Sequence, residues 1–199
     1  MNHPVTGRRG RRPGAPDTRA AILGAARARF AEHGFAGTTI RAVAGDAGVD
    51  AALVHHYFGS KDDLFLAALE LPLDPRQVLL PAVAEGIDGV AERLLRAFLS
   101  AWDDPELQPR LVAVVRGVMD PAGSKLITEG FLPVVLQPVG QALGVDRPEL
   151  RMPLVASQVF GLILMRYVLR VEPLASLPPD QLVATYAPTI QRYLADPLP

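Results

Sequence analysis

Cysteine is absent from this 199-residue chain, which excludes disulfides, thiolate metal sites and cysteine nucleophiles. Long apolar runs are missing too: the longest, residues 159–165, is bounded by Gln158 and Arg166 and is too short to span a bilayer. No uninterrupted apolar stretch opens the sequence, so nothing resembles a signal peptide, and the expectation is a soluble, cytoplasmic protein with no membrane partner. The motifs of common enzyme classes are lacking as well: no phosphate loop, GxGxxG, HExxH, GxSxG or paired-carboxylate arrangement occurs. That predicts no catalytic residues, no cofactor and no metal. His55 and His56 do not chelate as an i, i+4 pair would, because adjacent residues of a helix point about 100° apart.

Proline is missing from one stretch only. Three prolines lie in residues 1–16, none in 17–71 and sixteen in 72–199, which predicts a small uninterrupted helical unit followed by a larger, kinked one. Charge divides the chain at nearly the same place. Residues 1–61 carry nine Arg and Lys against four acids, a net of +5, whereas residues 62–199 carry eleven against seventeen, a net of −6. The overall charge of −1 therefore conceals a basic third suited to a polyanion. Within it, residues 1–16 are basic and rich in Gly and Pro, the composition of a disordered arm; Arg8, Arg9, Arg11 and Arg12 are then candidates for phosphate or minor-groove contact.

What is present is helical periodicity. Asp17 or Thr18 caps a first helix running to His33, with Ile22, Ala26 and Phe30 on its inner face, Gly34 as its stop and Phe35 folded back on it. In residues 39–47, Ile40, Val43, Ala44 and Ala47 share one helical face. Gly48 ends that helix, Asp50 caps the next, and Gly59 stops it after Phe58. Val54 and Phe58 face inward, which leaves Ala51, Ala52, Leu53, His55, His56 and Tyr57 on the outside of a helix short enough for a major groove. Ser60 caps a fourth helix with Asp63 as the other half of a capping box; Lys61 beside its free N–H groups predicts a phosphate site. Leu64, Phe65, Ala68 and Leu69 form its apolar face.

Residues 18–69, with TTIR at 38–41, AGV at 47–49, Tyr57-Phe58 and SKD at 60–62, resemble the N-terminal domain of the TetR family of transcriptional regulators. The segment RYVLRVEPLA at 166–175 is similar to C-terminal segments of actinobacterial members. The resemblance implies an all-α fold: a three-helix DNA-binding domain with a helix-turn-helix over residues 17–71, then a helical effector-binding and dimerisation domain over 72–199. It implies phosphate contacts from Thr39, Tyr57 and Lys61, and base-edge contacts from Arg41, Ala51, Ala52, Leu53, His55 and His56. Alanine and leucine read only thymine methyls, so hydrogen-bonding discrimination falls to Arg41 and the histidines.

Beyond a linker at Pro72 and Pro75, the pattern predicts helices at about 76–86, 88–102, 105–119, 124–143, 148–171 and 179–195, bent at Pro133, Pro138, Pro153 and Pro188. The helix at 148–171 is apolar on nearly every side and so calls for burial twice. A palindromic operator requires two recognition helices a turn of DNA apart, and the family's dimer bundle implies a homodimer through the last two helices. Phe98, Trp102, Arg116, Met119, Phe131 and Met165 are either ordinary core or the walls of a pocket for a small apolar or amphipathic effector. The expected function is a repressor released from a palindromic double-stranded operator by such an effector, the alternative being a helical architectural DNA-binding protein without one.

Overall fold

The computed structural model describes residues 17–118 and 121–199, and every regular element among them is a helix. The proposed arm, with Arg8, Arg9, Arg11 and Arg12, and Met119 lie outside the described residues.

Helix α1 (Thr18–Gly37) starts where Asp17 accepts the Arg19 N–H at 3.1 Å, and it buries Ile22, Leu23, Ala26 and Phe30 along one face. The regular winding stops at Gly34, as the pattern predicts. That glycine takes a left-handed φ of 71°, yet the chain re-enters the helix for one more turn. Thr38 stands behind the break, its buried hydroxyl within donating distance of the carbonyls of Gly34 at 2.8 Å and Arg29 at 3.1 Å. Helix α2 (Ile40–Ala47) is capped by Thr39, whose hydroxyl accepts the Ala42 N–H at 3.1 Å. It closes at Gly48, φ 66°, where the Val49 N–H returns to the Ala44 carbonyl at 3.0 Å, the long bond of a left-handed helix stop. Asp50 then accepts the Ala52 N–H at 2.7 Å and starts α3 (Ala51–Phe58). Ser60 caps α4 (Lys61–Ala68) by accepting the Asp63 N–H at 3.1 Å. The buried side of α4 is broader than its pattern suggested, with Leu66 joining Leu64, Phe65 and Ala68.

Behind this head come α5 (Pro75–Val83), α6 (Val90–Trp102), α7 (Gln108–Val118), α8 (Pro121–Leu126), α9 (Gln137–Ala142), α10 (Pro148–Ile163) and α11 (Pro179–Ala195). The single helix expected at 124–143 is a composite. Between α8 and α9 the chain winds more widely, as a π-helix over Ile127–Leu136 with Pro133 inside it. Proline has no N–H to give to the helical ladder, and a wider turn accommodates the gap. A second π segment, Leu164–Val168, extends α10.

Two cores result. The rear core joins α5, α6, α7, α9, α10 and α11 around Leu95, Leu99, Trp102, Met152, Leu162, Leu182 and Ile190. The head core joins α1 to α4, but it also contains Val134 and Val135 from the first π segment, with Phe131 packed beside them. The same part of the chain meets α1 directly: from α8 the Lys125 ammonium donates to the Glu32 carbonyl at 2.7 Å, and Glu129 of the π segment lies over Gly34. Head and rear are thus joined through side chains as well as through the linker at Pro72.

Candidate nucleic-acid interface

Helices α2 and α3 form the helix-turn-helix. Val43, Ala44, Val54 and Phe58 bury their inner faces, so the outer side of α3 is fixed by packing rather than left to local flexibility. Ala52, His55, His56 and Tyr57 are exposed there, Tyr57 at 44% of its surface. Leu53 is half-buried, and Ala51 packs against the head core instead of standing on the outer surface. Ala51 is correspondingly less available for base contact than its neighbour Ala52. The two histidines differ in freedom. His55 Nδ1 lies 2.8 Å from the Gly59 carbonyl, which leaves its Nε2 to face outward, while His56 stacks edge-on against Tyr57 with ring centres 5.6 Å apart.

The cations sort by their partners. Arg29 is held by Asp46, with Nη2 2.9 Å from Oδ1, a bond that ties α1 to α2 and keeps the Asp46 carboxyl below its usual range. Arg27 is paired with Glu70. Neither has its charge to spare for DNA. Arg41 is exposed and makes no ion pair among the described residues. Lys61 makes none either; its ammonium sits 4.3 Å from the centre of the Phe35 ring, and partial burial pushes it below the usual lysine range. Sequence reasoning missed Arg19, whose guanidinium lies 5.3 Å from the Phe58 ring centre. This stacking holds a charge at the start of α1 against the end of α3, and only the three-dimensional fold brings the two together.

The five candidate effector residues among the described residues do not gather in one place. Phe98 and Trp102 form an aromatic row with Tyr167, at centre distances of 5.6 and 5.1 Å, and Met165 is half-buried in the nearby π segment. Arg116 is exposed. Phe131 belongs to the head core. A cleft of about 390 Å³ between α6 and α11 is lined by none of these five. Among the described residues no group of three or more histidine or acidic side chains could hold a metal ion, and no helix is long and apolar enough to cross a membrane.

Comparison with known proteins agrees with this geometry. Residues 22–68 match the family described as bacterial regulatory proteins, tetR family, and residues 88–194 match the tetracyclin repressor-like C-terminal domain. The HTH-type transcriptional repressor SCO4008 of Streptomyces coelicolor is 37% identical over 78 residues, 39% of this chain and 41% of that protein. The HTH-type transcriptional regulator HbdR of Aromatoleum sp. is 38% identical over 76 residues, 38% of this chain and 33% of that protein. The chain thus spans less than half the length of these two curated relatives. A crystal structure of the TetR-family regulator SCO0857 from Streptomyces coelicolor is similar throughout, with 42% identity, a TM-score of 0.50, and coverage of 94% of this chain and 99% of that one. With its head and its rear each matched by the corresponding family domain, the chain belongs to the tetR family of bacterial regulatory proteins.

Proposed function

We propose that this chain is a sequence-specific DNA-binding repressor, acting in the cytoplasm as a homodimer on a palindromic operator and released by a small-molecule effector. The observation that carries the reading is the outer surface of α3, where Ala52, His55, His56 and Tyr57 are exposed on a helix whose other side is locked into the head core. Such a helix offers one defined set of side chains to the major groove. Thr39, Tyr57, Lys61 and Arg19 are assigned to the phosphate backbone, and Arg41, Ala52, Leu53, His55 and His56 to base edges. The head at 17–71 reads DNA, and the rear at 72–199 dimerises through α10 and α11 and binds the effector. Half-buried Leu154, Val159, Phe160, Tyr186 and Tyr193 on those two helices supply apolar surface for the partner. Electrophoretic mobility shift on DNA selected from a random pool tests the reading. A palindromic consensus bound by a dimer is the expected result; unselective or absent binding would overturn it.

A further inference from the structure

The end of α10 is widened in a way that gathers charge. Over Leu164–Val168 the turns are π-helical: the Leu169 N–H reaches the Leu164 carbonyl at 2.8 Å, and the Val171 N–H reaches Met165 at 2.8 Å. Single π turns of this kind recur at functional sites. Here the wide turn lets two residues adjacent in sequence, Arg166 and Tyr167, line one cleft of about 260 Å³ together with Arg170, Asp103 and Gln108.

The polar groups of that cleft are incompletely used. Arg166 has a side chain only 9% exposed, and its Nη1 donates to the carbonyls of Leu174 at 2.7 Å and Leu177 at 2.9 Å. Its Nε is buried and has no hydrogen-bond partner among the described residues. A buried donor left unpaired costs about 1–3 kcal/mol, which an acceptor admitted by a small shift of the cleft wall would recover. Arg170 takes a left-handed φ of 54° and makes no hydrogen bond or ion pair with its side chain among the described residues. Asp103 accepts the Tyr167 hydroxyl at 2.9 Å and faces Arg166 Nη2 at 3.4 Å, both through Oδ1. Gln108 donates its amide N–H to the Trp102 carbonyl at 3.0 Å, which leaves the amide oxygen as an acceptor. Two guanidinium groups and one carboxylate line the cleft, so it carries one uncompensated positive charge beside two free acceptors. The cleft is smaller than the usual range of about 300–1,000 Å³ for drug-sized ligands, and Tyr167 joins it to the Trp102 and Phe98 row.

We propose that this cleft is the effector site and that it takes a small monoanionic hydroxy acid, the carboxylate meeting Arg166 and Arg170 and the hydroxyl donating to Asp103 or Gln108. The inference rests on the reading above that the protein is ligand-responsive, and it adds where the ligand binds and what chemistry it carries. Because the site is built on the end of α10, one of the two helices assigned to the dimer, occupancy acts where the subunits meet.

The test uses the full chain, with mandelate and lactate as monoanionic hydroxy acids, malate as a dianion, benzoate as an acid without a hydroxyl and mandelamide as the neutral counterpart, followed by calorimetric titration and by operator release in a mobility shift. Mandelate binds and mandelamide does not; Arg170→Glu weakens mandelate by about tenfold or more, and Arg170→Lys retains part of the affinity. Arg170 is exposed, so both variants fold, which their ligand-free melting temperatures verify. Equal binding of mandelamide, indifference to Arg170→Glu, or no binding by any of the four acids at millimolar concentration overturns the site. Operator release by some other compound, undiminished in Arg170→Glu, overturns the site while leaving the regulatory reading intact. Arg170-dependent binding that leaves the operator bound supports the anion site and removes its effector role.

Discussion

Gly130 lies flat against the Phe65 ring, so closely that a β-carbon at residue 130 would overlap the ring atoms. Phe65 in turn meets Phe30 and Phe35 edge-on, at centre distances of 5.1 and 5.3 Å. One backbone position of the rear domain therefore rests on the aromatic centre of the DNA-reading head. Gly130→Ala is expected to destabilise the protein by about 1–3 kcal/mol, the usual cost of overfilling a packed core. Gly24→Ala is the control: nothing lies within 4 Å of its would-be β-carbon, and alanine in a helix gains about 0.5–1 kcal/mol over glycine. Urea unfolding of the two variants checks the contrast, and equal midpoints would refute the contact.

Phosphate contacts are predicted at Lys61, Tyr57 and Arg19. Lys61→Ala and Arg19→Ala should each lower affinity for all sequences alike and flatten the salt dependence by roughly 0.9 in log–log slope. Tyr57→Phe should lower affinity without changing that slope, because it removes a hydrogen bond and no charge. Fluorescence anisotropy across a salt series measures both, and a changed sequence preference in any of the three would show that the residue touches bases.

Base discrimination is assigned to His56 and Arg41. Replacing either with alanine should cost about 1–3 kcal/mol at the cognate site and alter the consensus selected from a random pool. His55 is the more constrained histidine, since one ring nitrogen faces the Gly59 carbonyl at 2.8 Å. Its replacement should loosen the end of α3 as well as weaken binding. An unchanged consensus for His56→Ala would mean that α3 is docked differently.

These assignments were legible in the sequence to very different degrees. Gly48, Asp50 and Ser60 are legible as caps and stops because each acts on backbone groups within about five residues, whereas the capping role of Thr39 emerges only from the structure. Gly34 breaks the helix where the pattern predicts, but the extra turn beyond it and the Thr38 hydroxyl that reaches back to the Gly34 and Arg29 carbonyls carry no signal in the local sequence. Phe131 is a sharper case. Its spacing is that of any apolar helix residue, and only the folded chain shows that it packs with the head. Pro133 announced a disturbance but not its form, since a kink and a widened turn both relieve a missing N–H. The cation stacks Lys61 on Phe35 and Arg19 on Phe58 pair residues of different helices, for which periodicity carries no signal.

Acid sensitivity should centre on the junction of α4 and α5. The Asp63 carboxyl is held below its usual range by the Ser60 hydroxyl and then by Arg76; Asp74 is held down chiefly by Arg76. Arg76 Nη2 reaches both acids, at 2.7 and 2.8 Å. A carboxyl whose pKa is depressed by folding contributes stability that is fully present above its unfolded value, about 3.9, and is lost as pH falls through the folded value. The melting temperature should therefore fall below about pH 4, and fall less steeply in Asp63→Asn and Asp74→Asn, each of which should already be weakened at neutral pH. Parallel pH profiles for wild type and both variants would exclude the junction as the source.

Val134 and Val135 have a consequence for how the protein is made. Both are nearly solvent-free members of the head core, yet they are synthesised long after α1 to α4. Chains emerge from the ribosome at about 5–20 residues per second, so the head spends seconds with an open apolar seam where those valines belong. The π segment packs on α1 and α4, so the core of the head closes only when that segment has emerged, by which point about half of the rear domain, residues 72–135, has been made.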